Sequence, residues 1–199
     1  MKIKLLVILI LLAACVWIVH ARHDNYSVPK SSALSGAQTA SAKTSPTTKT
    51  AKTAPPVENQ CASNTSGKKV IVDISQQHMW ACQDAEAVYN NAVITGMEQY
   101  DDSTPLGTYH IFSRLTDQTL KGCDATGCWN DPVSYWLPYQ QASGGTVGFH
   151  DANWRKPTDF GHITPSSNKG SHGCVEMPLS AAKWLFGWAT VGTTVVVKA

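Results

Sequence analysis

The sequence predicts a mainly β domain, an antiparallel β-sandwich or barrel-like fold with one short helix. From about residue 67 onward, short runs rich in Val, Ile, Thr and aromatic residues alternate with Gly, Asp, Asn and Pro. This alternation is typical of strands separated by turns. One segment near the end of the chain has helical periodicity instead. The roughly 130 residues of this region are enough for a single hydrophobic core.

Six segments have strand character, because β-branched and aromatic side chains fit a pleated, half-buried surface. They are residues 68–74, 78–83, 86–95, 107–114, 146–150 and 193–198. The stretch at 114–132, RLTDQTLKGCDATGCWNDP, has mixed signals. We expect an excursion loop there.

The helix is predicted from Pro178 to about Trp188, in PLSAAKWLFGW. Pro178 stands near the first turn, where its missing N–H costs little. Leu179, Ala182, Leu185 and Phe186 form an apolar stripe at helical spacing. The stripe predicts the face that packs on the sheets.

The N-terminus, residues 1–23, is predicted to be a signal peptide or membrane anchor. Positive charge precedes an unbroken run of 15 apolar residues at 5–19, which are the n-region and h-region of a secretory segment. Three fates stay open: lipidation at Cys15 in LAAC, cleavage after Ala21 in VHA, or retention as an anchor. All three imply an exported, extracytoplasmic protein that is either secreted or membrane-anchored.

Residues 24–60 are rich in Ala, Ser, Thr, Lys and Pro, with almost no large apolar residues. Such a segment cannot bury enough surface to offset its ordering entropy, so we expect a disordered tether before a folded domain at 61–199. Residues 1–60 carry seven Lys or Arg against two acids, whereas 61–199 carry nine against twelve. The mildly acidic domain argues against nucleic-acid binding, and the basic tail suits an anionic membrane or wall polymer.

Disulfides are expected because the chain carries six cysteines and an export segment. With Cys174 and the export-segment cysteine set aside, we predict local pairs, Cys61–Cys82 and Cys123–Cys128, among the three combinations that four cysteines allow. A zinc knuckle on the second pair is disfavoured, because the spacing is too wide and no second compact ligand pair follows. No metal is predicted.

Cys174, in KGSHGCVEMP, is predicted to be a nucleophile. A thiol near its free pKa of about 8.5 is only a few per cent thiolate at neutral pH, so it needs a base and oxyanion donors. His150 and His172 are the strongest candidate bases, and His172 shares one side of an extended chain with the thiol. Gly173 allows backbone N–H groups to approach a developing charge. Inert packing, a disulfide or a metal remain alternatives on these residues alone.

Three motifs together resemble one known family. GFHDANW at 148–154 and SHGCVEMP at 171–178, with STPLGTYHI at 103–111, resemble the catalytic domain of the L,D-transpeptidases (YkuD-type) that cross-link bacterial peptidoglycan. The resemblance covers about residues 68–198. It implies a β-sandwich fold, a thiol acyl-enzyme mechanism, and peptidoglycan stem peptides as donor and acceptor, with no cofactor.

The resemblance also assigns roles. Cys174 is expected to attack the donor tetrapeptide stem and release D-Ala, with His150 moving the proton. The backbone carbonyl of Asp151 is expected to orient the imidazole, although its side chain has an alternative role in capping a turn. Backbone N–H groups around Gly173 and Cys174 are expected to form the oxyanion hole.

Ser171 and His172 are expected to frame the thiol. His172 is assigned to the catalytic set as an aid to substrate positioning, with a purely structural hydrogen bond to the loop as the alternative.

Two departures from the family pattern bear on activity. The spacer between His150 and Ser171 is 20 residues, a few more than is usual. This leaves His162 as a rival base. Glu176 stands where the family mostly has Asn or Arg, and a carboxylate near the thiol raises its pKa unless it faces away or pairs with a cation.

Other functional classes stay open. A catalytically weakened peptidoglycan-binding module is one, and an L,D-carboxypeptidase, in which water replaces the acceptor amine, is another. A cysteine peptidase of different fold is less favoured, because in the wall-hydrolysing enzymes of that kind the nucleophile usually precedes its histidine.

Overall fold

A computed structural model describes residues 60–124, 127–142 and 145–199. The predicted export segment at 1–23, with Cys15, and the predicted tether up to residue 59 lie outside the described residues. No helix in the described ranges is long and apolar enough to span a bilayer.

The first sheet has five strands in the order β3-β2-β1-β9-β4. Its strands are β1 (Lys68–Asp73), β2 (His78–Gln83), β3 (Glu86–Ala92), β4 (Gly107–His110) and β9 (Thr194–Lys198). Alternate residues of β1 and β2 pack to opposite faces: Val70 joins the main core, whereas Ile71 and Trp80 join a smaller cluster with Cys61. Both faces of these strands are therefore covered, which explains their nearly continuous apolar sequence.

The second sheet has four strands in the order β5-β6-β7-β8. They are β5 (Leu115–Asp124), β6 (Gly127–Ala142), β7 (Gly145–Asp151) and β8 (Val175–Met177). The prediction of a loop at 114–132 is wrong, because most of this region belongs to the long β5–β6 hairpin. Its β5 strand is largely polar and exposed, so it lacks the apolar alternation that identifies a strand.

The mainly β fold with a short helix is confirmed, and both sheets are mixed. Most neighbours run antiparallel as predicted, but β9 runs parallel to β1 and β8 runs parallel to β7. A parallel neighbour needs a connection much longer than a hairpin turn. Residues 152–174 supply it between β7 and β8.

The α-helix α1 (Leu179–Trp188) follows β8 and packs against β6 and β7. Ala182 and Leu185 are fully buried in the main core, as the apolar stripe predicted. Leu179 is 43% exposed, so the stripe was wrong there.

Both predicted disulfides are present. Cys61–Cys82 ties the segment before β1 to β2, and Cys123–Cys128 joins β5 to β6 at a directly paired position. Of the cysteines in the described part of the chain, Cys174 is the one outside a disulfide.

The two helix leucines provide a matched test of the core. Leu185→Ala should lower the free energy of unfolding by about 2–5 kcal/mol, because it removes buried methyl groups and leaves a cavity. Leu179→Ala, at an exposed site in the same helix, should change it by about 0.5 kcal/mol or less. Urea unfolding of both variants measures the difference, and equal losses would contradict this packing of α1.

Candidate active site

The parallel pairing of β7 with β8 places His150 and Cys174 on the same side of the sheet. Phe149 pairs with Val175, and both are fully buried in the core. Because side chains alternate along a strand, the residues on either side of this pair face away from the core. Cys174, just before β8, and His150, near the end of β7, therefore line the same groove.

His150 is 4% exposed and held by its neighbours. Its Nδ1 lies 3.0 Å from the Asp151 carbonyl oxygen. A carbonyl only accepts hydrogen bonds, so Nδ1 carries the proton in this contact and Nε2 is left with a lone pair in the neutral ring. The rings of Trp136 and Trp154 lie 5.9 and 6.0 Å from the imidazole, measured between centroids.

The Asp151 side chain makes hydrogen bonds of its own, apart from the contact of its carbonyl with His150. Its Oδ1 accepts hydrogen bonds from the backbone N–H groups of Ser134 and Tyr135, both at 2.8 Å, and its Oδ2 accepts one from Asn153. The carboxylate thus fastens β6 to the end of β7, while the carbonyl faces the imidazole.

Cys174 is half-buried, and burial raises the pKa of its thiol to about 12. The Gly148 N–H opposes this shift, whereas the Glu176 carboxylate adds to it. The sulfur lies 3.9 Å from the Thr146 carbonyl oxygen. Across the described ranges, no hydrogen bond joins it to His150. The thiol is therefore protonated at neutral pH, and any attack requires a base to take its proton.

A tight turn presents Cys174. Ser171 Oγ donates to the Cys174 carbonyl and accepts from the Gly173 N–H at 3.2 Å. Gly173 has φ +103°, a conformation that side chains disfavour. Since Gly173 N–H is already bonded, Cys174 N–H is the member of the predicted oxyanion pair for which the described residues show no partner.

The upstream STPLGT motif supports this turn. Thr104 Oγ1 donates to the Gly173 carbonyl at 2.9 Å and accepts from the Gly96 N–H at 2.8 Å. A Cβ on Gly96 would lie 2.0 Å from the Asp102 carbonyl and 2.8 Å from the Gly173 Cα. Glycine at position 96 is therefore required for the two loops to meet.

Glu176 pairs with a cation. The guanidinium of Arg155 binds both carboxylate oxygens, at 2.6 and 3.1 Å, and also donates to the carbonyls of Lys169 and Gly170. The two side chains are 18% and 6% exposed. Arg155 is thus the cation partner of Glu176 and fastens the long spacer to β8, although the carboxylate still adds to the raised pKa of the thiol.

His172 lies at the boundary of two cavities. One is the groove of about 920 Å³ that holds His150 and Cys174, and the other has about 1000 Å³. His162, the rival base, lines the second cavity and not the groove. The structure therefore places four predicted site residues in the groove with the thiol: His150, Ser171, His172 and Gly173. Asp151 contacts His150 through its carbonyl without lining the groove, and His162 lies apart.

An acidic pair next to His172 was not predicted. Ligand atoms of Asp102, Asp124 and His172 all lie within 4.8 Å of one another, a spacing that could hold a cation. Burial, and then the hydrogen bond with Asp124, raise the pKa of Asp102 to about 6, while His172 lowers it. The one sequence signal for Asp102 was its position, two residues before Thr104 of the upstream motif.

A mainly β domain whose second sheet places a histidine and a later cysteine in one groove has the arrangement expected of an L,D-transpeptidase catalytic domain. The chain matches the L,D-transpeptidase catalytic domain model over residues 67–197. It belongs to the L,D-transpeptidase family.

Relatives agree with this assignment. YciB, a candidate L,D-transpeptidase of Bacillus subtilis (strain 168), is 22% identical over 130 residues, covering 64% of this chain and 63% of its own. A crystal structure of an Enterococcus faecium L,D-transpeptidase mutant is 32% identical with a TM-score of 0.58, covering 66% of this chain and 49% of that one. This chain thus spans less than two thirds of either protein.

A third relative covers the catalytic domain alone. The NMR structure of the E. faecium catalytic domain acylated by ertapenem is 32% identical, with a TM-score of 0.56. The match covers 67% of this chain and 98% of that domain.

The acidic pair predicts a pH-dependent stability. The folded-state pKa of Asp102 lies above its ordinary value of 3.8, so the native state binds the extra proton and stability falls as pH rises from about 4 to 6. Asp102→Asn supplies a permanent N–H donor to Asp124. It should raise the Tm at pH 7.5 by about 2–4 °C and leave it unchanged at pH 4. Asp117→Asn, on the exposed face of β5, is the control and should alter neither value.

The buried ion pair predicts a stability loss. Arg155→Met leaves the Glu176 carboxylate buried without a cation and should lower the free energy of unfolding by about 3–5 kcal/mol. Adding Glu176→Gln should recover most of that loss, whereas Lys156→Met, at the exposed neighbour, should have little effect. A single Arg155 variant as stable as the parent in urea would refute the pairing.

Proposed function

We propose that this protein is an L,D-transpeptidase that cross-links peptidoglycan stem peptides through a thioester on Cys174. The observation that carries the proposal is the placement of His150 and Cys174 on one face of two parallel strands, in a groove large enough for a peptide. Membership of the family supports the same activity.

The first step is acylation. As Cys174 Sγ attacks the carbonyl of the third residue of a donor tetrapeptide, its proton moves to Nε2 of His150. Proton transfer belongs to the attack itself, because the buried thiol has a pKa of about 12. The Asp151 carbonyl holds Nδ1–H and stabilises the imidazolium that forms. His150 then returns the proton to the departing D-Ala amine, and the C–N bond breaks.

Charge on the tetrahedral intermediate needs a donor. The N–H of Cys174 is the proposed oxyanion donor, fixed by the turn that Ser171 and Gly173 build. His172, at the rim of the groove, is proposed to position the substrate.

The second step is transfer. The amine of an acceptor stem attacks the thioester, and His150 takes the amine proton. The C–S bond then breaks, and the departing Cys174 thiolate receives that proton from His150. If water attacks instead, the product is a trimmed stem and the activity is that of an L,D-carboxypeptidase.

The site of action follows from the substrate. A catalyst of peptidoglycan cross-linking works outside the cytoplasm, which agrees with export through residues 1–23. We propose that residues 24–60 tether the catalytic domain at 61–199 to the membrane or wall, whether by Cys15 or by an uncleaved anchor.

Intact-mass measurement with a tetrapeptide stem tests the proposed chemistry. The parent should gain an acyl group equal to the tetrapeptide minus D-Ala, and Cys174→Ala should gain nothing. His150→Gln should acylate about 10²–10⁴-fold more slowly, since it lacks the base. His162→Gln, in the second cavity, should acylate at the parent rate.

Labelling by a carbapenem provides a second readout, in line with the ertapenem adduct of the E. faecium domain. Acylation of the Cys174→Ala variant would refute the nucleophile, and an active His150 variant beside a dead His162 variant would reassign the base. Binding to purified peptidoglycan with no adduct in the parent would point to the weakened binding module.

A further inference from the structure

Two residues of the paired strands β5 and β6, Asp124 and Trp129, contact the residue that borders both cavities. The Trp129 ring stacks on the His172 imidazole, with 3.8 Å between centroids and 5° between planes. From the opposing strand, Asp124 Oδ2 lies 3.6 Å from His172 Nε2. Two side chains of one hairpin therefore hold one ring, by its face and by its edge.

The hairpin is built to place those two side chains. Cys123 and Cys128 are directly paired across the strands and disulfide-bonded, and each immediately precedes one of the two contacts with His172. Gly122 pairs with Trp129, and a Cβ on Gly122 would lie 2.0 Å from the indole. The indole therefore lies directly over the glycine, in space that any other residue at 122 would fill.

His172 stands two residues before Cys174 and lines both the groove and the second cavity. The orientation of the His172 ring therefore determines the shape of the wall between the groove and the second cavity, two residues from the thiol. Trp129 and Asp124 also line the groove, so these two side chains and the His172 ring all belong to the wall of the cavity that holds Cys174.

We propose that Trp129 and Asp124 are positioning residues that hold His172 in one orientation, and that the Cys123–Cys128 disulfide keeps this clamp in register. The clamp directs the stem peptide toward the thiol without taking part in the chemistry. The identity of the peptide rests on the proposed function, whereas the positioning of the ring does not.

Ring-proton NMR of histidine-labelled full-length protein tests the clamp directly, with the His172 signals assigned from a His172→Gln variant. The stacked indole should shift these signals upfield in the parent. Trp129→Ala should return them to ordinary positions, and Trp129→Phe should preserve part of the shift. Trp154→Ala, which removes the indole beside His150, should leave the His172 signals in place.

The disulfide is tested by a pair of double variants. Cys123→Ser with Cys128→Ser should move the His172 signals toward ordinary positions, whereas Cys61→Ser with Cys82→Ser should not. Signals that stay in place after removal of Trp129 would overturn the clamp. His172 signals that do not move when Cys123 and Cys128 are replaced would show that the disulfide does not hold the clamp in register.

Kinetics separate positioning from general damage. Trp129→Ala should raise the KM for a tetrapeptide stem about threefold to tenfold, as expected from loss of one aromatic contact, and Trp129→Phe should recover most of it. Alkylation of Cys174 by iodoacetamide, which needs no stem recognition, should stay within about twofold of the parent. An unchanged KM would overturn the positioning role. So would an alkylation rate that falls by the same factor as the KM rises. A parent with no transfer activity would instead refute the proposed function, and the NMR result would still decide the clamp.

Discussion

The parallel contact between β7 and β8 is the constraint on which the site depends. It sets Phe149 beside Val175 in the core, and strand alternation then turns the flanking residues toward the groove. A slip of one residue in this register would send the histidine or the cysteine into the core. The long 152–174 connection, the STPLGT loop and the turn at Ser171 all stabilise this one arrangement, since each contacts the chain next to β8.

The connection between β7 and β8 is held to β8 by an ion pair whose removal from water costs free energy. Arg155 and Glu176 are both largely withdrawn from water, and a buried pair of this kind adds little stability compared with apolar residues of similar volume. What the pair contributes is geometry. Its guanidinium also binds the carbonyls of Lys169 and Gly170, so one side chain connects the spacer, the approach to the turn and β8. It also offsets the negative charge of a carboxylate two residues from the thiol.

Much of this arrangement could be predicted from the sequence, and the failures have physical causes. Apolar runs such as KKVIVD identify strands because both faces of the first sheet are covered, and the local cysteine pairs follow from short separations. The β5 strand escaped prediction because its side chains are mostly exposed, and pairing with β6 and a disulfide stabilise it instead. Trp129 and Asp124 were missed for the same reason: the hairpin that carries them to His172 was taken for a loop. Arg155 was missed because its partner lies 21 residues away along the chain.

The raised pKa of the thiol fits both the proposed chemistry and the proposed location. A thiolate is the form that reacts with disulfides and oxidants, and the two disulfides of this domain imply an oxidising environment. A resting thiol with a pKa of about 12 is protected there. In the proposed mechanism, the ionised form arises only when a substrate carbonyl is within reach and the imidazole takes the proton. In the same mechanism the Asp151 carbonyl fixes the proton on Nδ1 and leaves Nε2 free to accept the thiol proton, so the burial that protects Cys174 is also what makes the proposed base necessary for fast acylation.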